Sequence, residues 1–236
     1  MKPSVQVEIC CFSLEDVIAS IEGGADRIEL CVDPALGGVT PSFGLVKTVR
    51  TLFPDFPCWV IIRPRGGHFV FSKREALVMK EDIRVCKDLG IDGVVVGVLN
   101  DSSQIDKTML EDLLDQTSNM GWAFHRAFDQ IKDRWAAYHY LISRGCSRVL
   151  TSAGGGNAVQ NASKLQEEAS ILGDQIQIMV GGNVRAENVA AIIGDSEIGA
   201  VHSSLRNGTI PPGEFQDISA TEVENLVSVV RSVSRS

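Results

Sequence analysis

Two tetrapeptides near the start of the chain, Val7-Glu8-Ile9-Cys10 and Ile28-Glu29-Leu30-Cys31, each place a carboxylate two residues before a thiol. On a β-strand, side chains two apart point to the same face, so Glu8 shares a direction with Cys10, and Glu29 with Cys31. Parallel neighbours in a sheet lie about 4.8 Å apart. If the two strands are adjacent, the thiols face each other and can hold one soft metal ion. The competing role is packing, because cysteine also serves as a small apolar core residue. Cys11 points the opposite way, and Cys58, Cys86 and Cys146 fall at a strand start, inside a helix and in a turn, where packing is the expected role.

Other residues able to do chemistry lie further along. His125 in His125-Arg126-Ala127-Phe128-Asp129 could act with Glu8 and Glu29 as an acid or base, or join them as a ligand; Asp129 would orient it or cap the following helix. Arg63-Pro64-Arg65-Gly66-Gly67-His68 sets two guanidinium groups beside a glycine pair, which suits a carboxylate or phosphate. Arg126 would add positive charge. Ser152-Ala153-Gly154-Gly155-Gly156-Asn157 and Gly181-Gly182-Asn183-Val184-Arg185 offer backbone N–H groups to an anion, unless their glycines only serve tight reversals. Without any ligand, Glu8 or Glu29 paired to Arg63 would make an ion-paired core. No lysine lies at an expected strand end, which argues against Schiff-base chemistry.

The elements that would bring these residues together recur eight times. Short β-rich segments are expected at Val5–Cys10, Arg27–Leu30, Cys58–Ile62, Gly93–Val96, Trp122–Phe124, Arg148–Leu150, Gln177–Val180 and Ala200–His202, separated by helical stretches. One such stretch, Ser72–Leu89, opens on a Ser72/Glu75 capping box, shows Leu77, Ile83, Val85 and Leu89 as apolar positions, and stops at Gly90. The last, Ala220–Val233, carries Val223, Leu226, Val227, Val230 and Val233 at helical spacing. Gly24-Ala25-Asp26, Gly90-Ile91-Asp92 and Gly145-Cys146-Ser147 are versions of one helix-to-strand turn. The pattern predicts an α/β fold, a single (βα)8 TIM barrel over residues 1–236, with chemistry at the C-terminal strand ends. An open doubly wound sheet is the alternative, but no Gly-x-Gly-x-x-Gly follows the first strand.

Composition narrows the partners. With 22 basic and 30 acidic residues among 236, the formal net charge is -8, which opposes binding to nucleic acid or anionic lipid. No apolar run reaches the length of a membrane span and no secretory leader is evident, so a cytoplasmic location without a membrane partner is expected, with the six cysteines reduced.

Over nearly its whole length the chain resembles the CutC family of copper homeostasis proteins. The matching motifs include Gly23-Gly24-Ala25-Asp26-Arg27-Ile28-Glu29-Leu30-Cys31, Gly37-Gly38-Val39-Thr40-Pro41-Ser42, Ile62-Arg63-Pro64-Arg65-Gly66-Gly67 and Phe124-His125-Arg126-Ala127-Phe128-Asp129. The resemblance implies a TIM barrel in the cytoplasm, self-association as a dimer or tetramer, and Cu(I) bound by Cys10 and Cys31. His68 stands where that family commonly has aspartate, and is a further candidate ligand. Val180, Asn183 and Ala153 also depart from the family pattern.

Two functions are therefore expected in competition. One is a Cu(I)-binding protein using Cys10 and Cys31. The other is an enzyme acting on a small anionic metabolite, phosphorylated or not, with Glu8, Glu29 and His125 moving protons and Arg63, Arg65, Arg126, Gly181 and Gly182 holding the anion. A barrel that only serves as a binding scaffold is a third reading.

Overall fold

Alternating strands and helices close on themselves. A computed structural model describes residues 4–118, 120–206 and 215–233. Its strands β1 Gln6–Cys11, β2 Arg27–Leu30, β3 Cys58–Ile61, β4 Gly93–Val96, β5 Gly121–Phe124, β6 Arg148–Thr151, β7 Gln177–Val180 and β8 Ala200–Ser203 form a closed parallel barrel in sequence order. Between and after them come α1 Leu14–Glu22, α2 Phe43–Leu52, α3 Lys73–Asp88, α4 Lys107–Leu114, α5 Arg134–Ser143, α6 Ala162–Leu172, α7 Val189–Ile193 and α8 Ala220–Val233. This is a single (βα)8 TIM barrel. Strand β1 pairs with both β2 and β8, so the two Glu-x-Cys strands are neighbours.

Alternation along each strand separates two cores. Val7, Ile9 and Cys11 of β1, with Ile28 and Leu30 of β2, join a large cluster with helix residues such as Val17, Val46 and Met79. The intervening residues face the axis, where three small clusters fill the barrel: Cys10, Phe12, Cys31 and Ile61; Trp59, Val95 and Ala123; Leu150, Met179 and Ala200. The indole of Trp59 takes so much of the axis that β4 and β5 must begin with glycine. A Cβ at Gly93 would lie 2.6 Å from the ring, and one at Gly121 2.9 Å. Arg27 and Arg148 stack on the same indole at 5.2 and 4.5 Å.

The repeated turns do more than reverse the chain. Gly24, Gly90 and Gly145 take φ of +80°, +70° and +73°, a conformation that disfavours a side chain. Asp26 then accepts the Val7 N–H at 2.7 Å and Asp92 accepts the Cys58 N–H at 2.8 Å, so each turn pins the start of the preceding strand. In the third version Ser147 donates to the Trp122 carbonyl at 2.8 Å. Helix α3 begins with the Ser72/Glu75 capping box, as its spacing predicts. Its buried stripe differs from expectation: Leu77 is 60 % exposed, while Ala76, Met79, Ile83 and Cys86 are buried. The apolar stripe runs one position ahead of the leucine because alanine and cysteine complete it. Helix α8 buries Val223, Leu226 and Val230. No helix among the described residues is long and apolar enough to cross a membrane.

Candidate functional site

At the C-terminal ends of β1 and β2 the Cys10 and Cys31 Sγ atoms lie 3.2 Å apart, both residues buried. Cys10 is in register with Glu29 across the strand pair. A Glu29 oxygen and the two sulfurs form one group of ligand-type atoms, all within 4.8 Å of one another. Gly38 keeps the backbone close over this pair, since a Cβ there would lie 3.4 Å from Cys31 Sγ.

A second group, Glu8, Glu29 and His202, adjoins it. His202, from β8, meets Glu8 Oε1 through Nδ1 at 2.6 Å and stands 3.6 Å from Glu29 Oε2 through Nε2. Arg27, on the same face of β2 as Glu29, donates from Nε to Glu8 Oε2. Glu8 is thus held by Arg27 and His202, and not by Arg63 as an ion-paired core would require. Glu29 Oε1 is buried without a hydrogen-bond partner.

These neighbours split the titration of like groups. Burial raises the Glu8 carboxyl, but the Arg27 charge and the bond to His202 outweigh it and bring Glu8 down to about 2. Burial also raises Glu29; the His202 charge opposes this, but the charges of Cys10 and Glu8 add to the rise and leave Glu29 at about 8. A hydrogen bond from Cys31 is the largest influence on Cys10 and, with the bond and charge of His202, overcomes burial to lower that thiol to about 6. Burial and its bond to Cys10 push Cys31 well up. His202 loses solvation by burial, yet its bonds to Cys10 and Glu8 and the nearby carboxylate charges raise it well above the ordinary histidine value. The cluster therefore favours proton loss from Glu8 and Cys10 and proton retention by Glu29, Cys31 and His202. Two soft sulfurs beside an unsatisfied carboxyl oxygen are a donor set that fits a soft metal ion.

The thiols and carboxylate open onto a cavity of about 510 Å³, which also reaches Arg63, His125, Arg126, Gly182, Arg185 and Arg206. Arg63 is buried and donates to the carbonyls of Leu36, Gly38 and Gly67. His125 lines the same space, but the position beside the two carboxylates belongs to His202. Its Nδ1 accepts the Ala127 N–H at 3.1 Å, and burial together with the Arg63 charge holds it down at about 3, so it is neutral. Arg126 is held by Asp129 and Ser152. Arg65 turns away to Glu75 and the carbonyls of His68 and Val70, outside the cavity. His68 is exposed and stands apart from the thiols. Gly181 packs against Leu150, where a Cβ would lie 2.7 Å from Cδ1, and it is Gly182, at φ +110°, that borders the cavity.

Asp129 neither orients His125 nor caps α5. It accepts from the Thr151 hydroxyl and from the Ser152 N–H and hydroxyl, tying the end of β5 to that of β6, while Asp133 caps α5. The reading from sequence gave no role to His202, Arg27, Arg185 or Arg206. For Arg27 the signal was present, because it stands two residues before Glu29 and so faces the axis with it. Arg185 and Arg206 lie in loops, where no periodicity marks them.

The sequence pattern of the CutC family matches residues 5–207. A CutC family protein of Photobacterium profundum is 38 % identical over 245 residues, covering 98 % of this chain and 99 % of its own. One from Pasteurella multocida is 38 % identical over 200 residues, covering 85 % and 82 %. Among solved structures, a candidate copper homeostasis protein CutC from Streptococcus agalactiae superposes with a TM-score of 0.81 at 32 % identity, covering 85 % of this chain and 98 % of that one. A phosphoribosyl anthranilate isomerase superposes at 0.63 with 15 % identity, covering 97 % and 99 %, which is likeness of fold alone. On the family pattern and on these relatives, the chain belongs to the CutC family.

Proposed function

We propose that this protein binds Cu(I) between Cys10 and Cys31 at the mouth of the barrel and takes part in copper handling in the cytoplasm. The observation that carries the reading is the 3.2 Å approach of two thiols from adjacent strands beside the unpaired Glu29 oxygen. Thiolates select soft ions. Cys10 is already easily deprotonated, and the entering metal would displace the Cys31 proton to solvent. The copper homeostasis description of the Streptococcus agalactiae relative supports the choice of ion. The test is an anaerobic Cu(I) titration against a strong chelator, comparing the protein with its Cys10→Ser/Cys31→Ser variant. Tight binding lost in the variant is expected; equal competition by both proteins would refute the thiol site.

A second reading, an enzyme acting on a small anionic metabolite, is favoured by the cavity itself. Its volume of about 510 Å³ is far more than one ion needs and matches a small-molecule site. Under this reading Glu29 donates the proton, and Glu29→Gln would abolish turnover while leaving the sulfur ligands in place.

A further inference from the structure

We infer that Arg63 and His125, on the β3 to β5 side of the mouth, form a subsite for an oxyanion, a carboxylate or phosphate carried by a small molecule. The inference deepens the second reading by naming where the anion of its ligand would rest, and it does not depend on the Cu(I) reading. Arg63 is 5 % exposed and forms no ion pair among the described residues, whereas Arg126 has Asp129 and Arg206 has Asp16. Three of its five N–H donors end on neutral carbonyls, and Nε has no acceptor. A guanidinium buried without a negative partner is costly, and a bound anion would supply the missing charge.

The second donor comes from a different strand. Because His125 Nδ1 accepts from the Ala127 backbone, the ring proton sits on Nε2. That Nε2 is buried with no acceptor, although the residue is only 3 % exposed and borders the cavity. Phe69 holds the two groups together, its ring 4.8 Å from the Arg63 guanidinium and 5.0 Å from the imidazole. A charged group with an unpartnered Nε and a neutral ring with an unpartnered Nε2, both bordering one cavity, suit an oxygen anion and repel a metal cation. The ligand's anionic group would rest here with the rest of the molecule extending over Cys10, Cys31 and Glu29, which line the same space.

The test uses the full chain labelled with ¹⁵N in its histidine rings, titrated separately with inorganic phosphate and with acetate. His125→Asn identifies the resonance by its disappearance. A saturable shift of the His125 Nε2 signal is expected, equal in the Cys10→Ser/Cys31→Ser variant, with the midpoint raised about tenfold or more in Arg63→Gln. A response to phosphate alone marks a phosphorylated ligand, and a response to acetate a carboxylate. Absence of a saturable shift with either anion in the unaltered chain overturns the inference, as does an unmoved midpoint in a folded Arg63→Gln protein.

Discussion

Glu8 and Glu29 occupy equivalent places in two copies of one motif, yet their neighbours shift them in opposite directions, Glu8 down and Glu29 up. Glu8 receives a guanidinium and an imidazole at hydrogen-bond distance, while Glu29 has one unpartnered oxygen and meets His202 only at 3.6 Å. Removing the guanidinium should therefore be costly. Arg27→Met is expected to lower unfolding free energy by about 3 to 5 kcal/mol in urea denaturation, because it strands a buried carboxylate. Adding Glu8→Gln should recover part of that loss; an additive loss in the double variant would show that the two residues act separately. His125 yields a pH prediction. Its folded pKa, about 3, lies below the unfolded value near 6.5, so its contribution is present above pH 6.5 and is lost as pH falls toward 3. His125→Asn, which keeps an acceptor for the Ala127 N–H, should flatten the decline in melting temperature across that window. An unchanged slope would mean that other groups govern acid unfolding.

At the scale of elements, strand ends supply the chemistry and glycines make room for it. A Cβ at Gly97, just past β4, would lie 2.2 Å from His125 Cε1. Gly97→Ala should displace the ring, break its bond to Ala127 and cost about 1 to 3 kcal/mol of stability, measurable by denaturation; a cost near zero would mean that the ring moves freely. The strands were legible in the sequence because period-two alternation and bounding turns are local signals. So were the facing directions of Cys10 and Cys31, which need only strand adjacency. His202 was visible as a strand end, but its partnership with Glu8 comes from the β8 to β1 closure, a contact spanning 194 residues. Arg65 was misplaced for a related reason: its chain neighbour Arg63 points into the mouth, while Arg65 is captured by Glu75 of the α3 capping box.

For the molecule as a whole, closure of β8 onto β1 brings residues from both ends of the chain to one mouth. A protein of net charge -8 gathers four arginines around a single cavity there, beside Cys10, Cys31 and Glu29. Two of these arginines, Arg126 and Arg206, are paired with Asp129 and Asp16. The self-association expected from family resemblance is a separate proposal, and sedimentation at twice or four times the chain mass would support it. The central claim is that Cu(I) is held by Cys10 and Cys31. Its most direct test is X-ray absorption at the copper edge on the anaerobically loaded protein. The account predicts two sulfur scatterers in the first shell that disappear in the Cys10→Ser/Cys31→Ser variant, and a first shell of nitrogen and oxygen alone would contradict it.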